Sequence, residues 1–197
     1  MSLQLTHEVI LFRQRVLACS GFYKGAIDGL WGKITDDADK AFHTEYLRLQ
    51  SIGGTFDPRS EAAILTLLTV SQAKAREFMR IAGPTCKLLS GTRTYSEQDA
   101  LFNQIPRVTK ACAGQSNHNF GIAWDVGIFI DGHYLTGATH AEEQTYNALA
   151  QKIKANMHGL EWGGDWKSIV DKPHYQLATN KTLAQVRIAF EAGQPFV

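Results

Sequence analysis

The chain has 197 residues, 44% of them hydrophobic and 20% charged, with a formal net charge of +1. That balance excludes a disordered or fibrous chain. The near-cancelled charge leaves no long-range field to draw the protein to nucleic acid or anionic lipid, so no nucleic-acid partner is expected. No segment approaches the ~18–20 apolar residues of a membrane span, and no membrane insertion is expected.

At the front, the apolar run over residues 9–12 is broken at once by Arg13 and Arg15, too short for the core of a secretory signal. Val9, Phe12, Val16 and Leu17 recur at helical spacing and predict a helix with one apolar face, stopped at Ser20-Gly21. A turn-rich stretch runs to Gly32. Thr35 is the expected cap of a second helix, with Asp36 and Asp37 at its positive dipole end and Ala38, Ala41, Phe42 and Leu49 as its buried stripe. Asp57-Pro58 opens a third helix, with Ile64, Leu65 and Leu68 supplying core contacts. Residues 71–80 read as a helical stretch linking this unit to the remainder of the chain.

The pattern then changes to strands mixed with helices. Residues 87–90 read as a strand, and Thr94-x-x-Glu97 as a capping box opening a helix through Leu101 and Phe102. Residues 128–135 read as a hairpin, since Asp131-Gly132 suits a type I′ turn. Thr139-x-x-Glu142 is a second capping box. It leads a helix with Tyr146, Leu149, Ile153 and Met157 on one face, ended by Gly159, and a last helix carries Leu183, Val186 and Phe190. The economical division is a helical unit over residues 1–70 and an α+β domain over 71–197. Cys19, Cys86 and Cys112 are widely spaced, form no CxxC pair and read as free, partly buried thiols.

The chemistry concentrates in two segments. From Phe120 onward, alternate positions hold Phe120, Ile122, Trp124, Val126, Ile128 and Ile130, an apolar wall; the others hold Gly121, Ala123, Asp125 and Gly127. One carboxylate thus stands among residues too small to crowd it, which suggests space kept for a metal. His118 lies seven residues before Asp125, a spacing that puts the two on opposite faces of a straight strand. They can share an ion if the chain turns first, and Gly121 is the expected place. In Asp171-Lys172-Pro173-His174 the proline keeps Lys172 extended, and His174 starts a strand. Two histidines and one aspartate suit zinc with a position left for water, and Asp171 is placed to take that water's proton. His7, His43, His133, His140 and His158 sit in no such constellation and read as structural.

Two resemblances complete the reading. Gly21-x-Tyr23-x-Gly25-x-Ile27-Asp28-Gly29-x-Trp31-Gly32-x-x-Thr35, with Ala38 and Phe42, resembles the three-helix peptidoglycan-binding module of cell-wall hydrolases. Ser116, His118, Gly121, Ala123 and Asp125 match SxHxxGxAxD, and Asp171 and His174 match the acidic-x-x-His motif. Both are motifs of the LAS group of zinc peptidases, which includes lysostaphin-type and D-Ala-D-Ala enzymes and the hedgehog domain. Within that group the chain is most similar to the endolysin-type L-alanyl-D-glutamate peptidases. The resemblance implies an LAS/hedgehog-like α+β catalytic domain with an antiparallel sheet. It implies one zinc per chain on His118, Asp125 and His174, with Asp171 as general base.

Arg93, in a segment that looks like the family's SGxRxxxEQ, and Ser116 are implied to bind substrate. Trp162 and Trp166 are implied to wall the cleft, and Asp165 is given no catalytic part. The implied protein is a monomeric, bacteriolytic metallopeptidase of the cell wall that cuts peptidoglycan stems after release by another factor. A D-Ala-D-Ala carboxypeptidase or dipeptidase is one alternative, and a non-catalytic wall-binding protein with structural zinc is another. Asp171 stands where some relatives carry Glu, and Pro173-His174 where some carry an HxH pair, which weakens the dipeptidase assignment.

Overall fold

Thr6 opens the first helix, α1 (His7–Cys19), its hydroxyl accepting the Val9 N–H. The structure, a computed structural model, describes residues 6–106 and 108–197. Three more helices follow: α2 (Lys33–Gly53), α3 (Pro58–Thr66) and α4 (Thr69–Ala82). Then come β1 (Cys86–Ser90), α5 (Tyr95–Asn103), β2 (Ala123–Ile130), β3 (His133–Leu135), α6 (His140–Asn156), β4 (Leu160–Trp162), β5 (His174–Leu177) and α7 (Leu183–Glu191). The strands make one antiparallel sheet in the order β1-β2-β5-β4, with β3 paired to β2. This is the α+β class read from the sequence.

Local signals held where the bonding partner is near in the chain. Asp57 caps α3 with Pro58 at its start, and the Thr94–Glu97 box caps α5 from both sides. Asp131 and Gly132 take φ of 51° and 79°, the turn expected between β2 and β3. Thr139 accepts the Glu142 N–H, but the Glu142 carboxylate turns to the Gly137 N–H at 2.8 Å, so that box is half made.

The expected Thr35 cap is not made. The α2 helix begins at Lys33 after Gly32, which offers no side chain to cap it. Thr35 lies buried inside the first turn, within 3.4 Å of both the Leu30 carbonyl and the Gln14 amide. Gln14 is the cause. Wholly buried, it donates to the Tyr23 hydroxyl at 3.1 Å and Asp28 Oδ1 at 2.9 Å, and accepts from the Asp28 and Gly29 N–H groups at 3.0 and 2.8 Å. One side chain thus satisfies the polar groups of the turn-rich segment. On α1, Val16 and Leu17 are buried, Phe12 is partly buried, and Val9 lies on the surface, off the face expected for it.

One hydrophobic cluster runs through the described residues, from Val16 and Phe42 through Ile64, Leu67, Leu68 and Phe78 to Leu88, Trp124, Tyr175 and Phe190. Residues 71–80 are helical, within α4, and form a pillar of this core. In α4, Ala75, Phe78 and Met79 are buried, and the Phe78 ring meets Trp124 at 6.0 Å and Tyr175 at 4.6 Å, both edge-on. Leu67 and Leu68, which connect α3 to α4, are buried too. No exposed linker crosses residue 70.

The same helix buries a charge. Arg76, 1% exposed, makes a two-pronged pair with Glu61 at 2.8 and 2.9 Å. Glu61 also accepts from the Tyr46 hydroxyl at 2.6 Å and the Phe56 N–H at 2.8 Å. Burial pushes the Glu61 carboxyl up, but these donors outweigh it and hold the group below the ordinary value of 4.5. Breaking a buried pair from one side strands the other charge. Glu61→Gln is therefore expected to lower the unfolding free energy in urea at neutral pH by about 3–5 kcal/mol. Because the folded pKa is depressed, this stabilisation is fully present above 4.5 and is lost as pH falls through the folded value. The wild-type advantage must then shrink in acid; an advantage independent of pH would refute the assignment.

Candidate metal centre

Asp125 on β2 and His174 on β5 are direct partners across the antiparallel pair, so both side chains leave the same face of the sheet. His118 comes from a short helical turn, Asn117–Phe120, which Ser116 caps by accepting the His118 N–H at 3.3 Å. Gly121 then takes φ of 70° in the left-handed region, and β2 begins at Ala123. That is the expected turn. It removes the odd-spacing conflict and lays His118 over the Asp125 face. The Gly121 carbonyl accepts the Leu68 N–H at 3.0 Å, which anchors the turn to the helical unit.

His118 Nε2, Asp125 Oδ1 and His174 Nδ1 converge, with separations of 3.1 Å (His118 to Asp125), 3.2 Å (His174 to Asp125) and 3.2 Å (His118 to His174). The proton on each ring is committed elsewhere. His118 Nδ1 donates to the Gly91 carbonyl at 2.7 Å, which can only accept. His174 Nε2 faces Gln176 Oε1 at 3.0 Å. That amide is fixed in turn, since its nitrogen donates to Glu161 Oε2 at 2.6 Å and its oxygen also accepts from Asn117 at 2.8 Å. With neutral rings, both inner nitrogens present lone pairs to each other and to the carboxylate. Three acceptors in contact repel one another unless a cation lies among them. The donor set therefore fits a metal ion.

The charges of the three groups are coupled. Burial opposes ionisation of Asp125, but the adjacent His118 and His174 outweigh it and hold the carboxyl well below its usual range. Burial also opposes the charged form of His174, yet the hydrogen bond and charge of Asp125 raise its pKa. The outer oxygen of Asp125 receives Arg93 Nη2 at 2.5 Å, and the same nitrogen reaches Ser90 Oγ at 2.8 Å. Arg93 is thus no surface ion pair.

All six sequence-predicted site residues line one cleft of about 930 Å³: Arg93, Ser116, His118, Asp125, Asp171 and His174. Asp171 is seated by its own backbone, donating to the Gly163 carbonyl at 3.0 Å and accepting the His174 N–H at 3.2 Å. Burial, and then the Asp125 charge, push its carboxyl up against the pull of His174, His118 and Arg93. Trp166 lines the cleft and packs on the His174 ring at 4.9 Å. Trp162 instead packs on the core, its indole N–H on the Lys172 carbonyl at 2.8 Å. Asp165 pairs with Lys154, as a structural acid would.

Two features differ from the reading of the sequence. The space beside Gly127 is not kept for an ion, because a Cβ there would meet Leu89 and Tyr134 side chains at 2.8 Å. And Gln176, Glu161 and Asn117, which orient His174, were not singled out; the His174-x-Gln176 spacing, two apart on a strand, was the available signal. Cys19, Cys86 and Cys112 are free, the first two buried, with burial pushing those two thiols up to about 12.

Comparison with known proteins gives the following similarities. A family model of the M15 peptidases, described as D-alanyl-D-alanine carboxypeptidase, matches residues 109–177. The chain is 33% identical over 101 residues to the peptidoglycan L-alanyl-D-glutamate endopeptidase CwlK of Bacillus subtilis (strain 168), covering 47% of this chain and 60% of that protein. It thus spans less than two thirds of that relative's length. The crystal structure of the Serratia marcescens L-Ala D-Glu endopeptidase ChiX superposes with a TM-score of 0.48 at 23% identity, covering 64% of this chain and 90% of that one. Residues 109–177, which carry His118, Asp125 and His174, are thus similar to the M15 peptidase family.

Proposed function

We propose that the chain is a zinc-dependent peptidase that hydrolyses the peptide stems of bacterial peptidoglycan, with the L-alanyl-D-glutamate bond as its target. The observation that carries the reading is the meeting of three lone-pair atoms at 3.1–3.2 Å, each ring's own proton being bound on its far side. Ligands at ~2.0–2.1 Å around a tetrahedral ion stand about 3.3 Å apart, close to these separations. Two imidazoles and one carboxylate are the three-ligand set of catalytic rather than structural zinc. The similarity to the Bacillus endopeptidase supports the substrate and the bond.

His118 Nε2, Asp125 Oδ1 and His174 Nδ1 would hold the ion. Bound there, zinc supplies Lewis acidity, lowering the pKa of water from about 15.7 toward ~7 and polarising a carbonyl. Asp171 accepts the proton of the attacking water and passes it to the leaving amine. Arg93 fixes the direction of Asp125 and, with Ser116, contacts the peptide along the cleft. Residues 1–70 hold the enzyme on its polymer, where Leu30 and Trp31 present apolar surface at 65% and 38% exposure. The protein works as a monomer on the wall. Among the described residues no helix is long and apolar enough to cross a membrane.

The family description favours a second reading, removal of terminal D-alanine from D-Ala-D-Ala ends. A non-catalytic protein with structural zinc is disfavoured by Asp171, a carboxylate placed beside the cluster in an open cleft.

Asp171→Asn is expected to leave zinc content unchanged by elemental analysis while turnover falls by about 10²–10⁴-fold. Retained turnover removes Asp171 from the role of base. Chelation is expected to abolish wall lysis and added zinc to restore it, and lysis indifferent to chelator would end the metallopeptidase reading. Mass spectrometry of digested peptidoglycan separates the bonds. Stems detached at L-Ala support the endopeptidase, whereas loss of D-Ala alone moves the assignment to the carboxypeptidase.

A further inference from the structure

We infer that Thr66, the last residue of α3 in the helical unit, is a positioning residue for the metal centre. It acts on the segment that holds two of the three candidate ligands. The Thr66 hydroxyl accepts the Thr92 N–H at 2.8 Å, and the Thr66 carbonyl accepts the Thr92 hydroxyl at 2.6 Å. Its own proton goes to the Ala63 carbonyl at 2.7 Å, so the hydroxyl cannot turn away without breaking a bond. Immediately before Thr92, Gly91 lies directly on α3, where a Cβ would run into the Ala63 carbonyl oxygen and Thr66 Oγ1. The backbone of residues 91–92 is therefore held against the end of α3 by two hydrogen bonds and a close contact.

That backbone is what orients the ligands. The Gly91 carbonyl takes the His118 Nδ1 proton at 2.7 Å and so sets both tautomer and ring direction. The next residue, Arg93, donates its N–H to the His118 carbonyl at 3.0 Å and its guanidinium to Asp125. Thr66 touches neither ligand, yet a shift of the 91–93 segment moves His118 and Asp125 together. The helical unit is thereby part of the frame of the metal centre. Groups that orient a ligand from behind are worth about 10–100-fold in metal affinity.

The inference rests on the zinc reading above, and the test separates the two. Zinc dissociation constants are measured on the full chain by competition with a chelating dye. Thermal unfolding of the metal-free protein and kcat and KM on peptidoglycan fragments are measured alongside. Thr66→Val keeps the shape and removes the hydroxyl. It is expected to weaken zinc binding by about 10–100-fold and to lower kcat more than KM changes, while Thr66→Ser stays within ~3-fold of wild type. A residue that merely ends a helix would shift unfolding without moving zinc affinity of the folded protein.

Thr66→Val binding zinc like wild type overturns the inference, as does Thr66→Ser failing as badly as Thr66→Val. Should Thr66→Val not fold, Thr92→Ala removes the other clamp bond and must weaken zinc in the same direction; unchanged affinity there is equally fatal. Wild-type protein that takes up no zinc brings down the metal reading and this inference together.

Discussion

Each of the three converging side chains is gripped from behind by a partner that leaves its inner atom no proton. Gly91 holds His118, Gln176 holds His174, and Arg93 holds Asp125. The consequence is a pocket of facing lone pairs that the fold enforces. In water such groups would rotate apart or take up protons. Here His118 and His174 are 2% and 5% exposed and their outer nitrogens are spoken for, so the rings cannot turn apart. The depressed Asp125 and raised His174 follow from their mutual contact, and the Arg93 guanidinium on the outer oxygen of Asp125 is the nearest fixed positive charge.

Holding such a cluster requires rigidity on every side, and the architecture supplies it from three directions. The β2–β5 register sets Asp125 opposite His174. The chain from Glu161 through Gln176 to Asn117 ties β4, β5 and the His118 turn into one hydrogen-bonded unit. Beneath them Phe78 of α4 packs on Trp124 and Tyr175, the neighbours of Asp125 and His174 whose side chains go to the opposite face. A metal site gains most when its ligands are ordered before the ion arrives, because the ordering entropy has then been met during folding.

Much of this was legible in the sequence, and the boundary between legible and illegible is physical. Gly121 could be placed because a seven-residue spacing and one flexible residue are local facts. So could the Asp131-Gly132 turn and the Thr94–Glu97 cap, whose bonding partners lie within three residues. Thr35 was misread because its competitor, Gln14, lies 21 residues away. Nothing within α4 reveals the Arg76–Glu61 pair, whose partners lie 15 residues apart on two helices. Gly127 looked like spared room because nothing in its own strand reveals that Leu89 and Tyr134 cover it. Four side chains at the cleft, His118, Asp125, Asp171 and His174, could be named from pattern, and Arg93 and Ser116 from the family resemblance. The groups that aim them could not, for a backbone carbonyl such as that of Gly91 has no signature of its own.

Under the proposed function residues 1–70 would hold the wall, and the shared core changes what such a front end can do. A binding module on a flexible linker raises the local concentration of substrate to the millimolar range and leaves orientation free. Here α3 and α4 are joined through buried Leu67 and Leu68, and Arg59 of α3 lines the same cleft as Asp171. A hold on the polymer by residues 1–70, as proposed, would therefore fix the angle at which a stem peptide meets the centre, as well as its distance. The gain is orientation, which a tether cannot supply, and its cost is reach. Strands of wall lying at other angles are out of range unless the whole molecule lets go and rebinds.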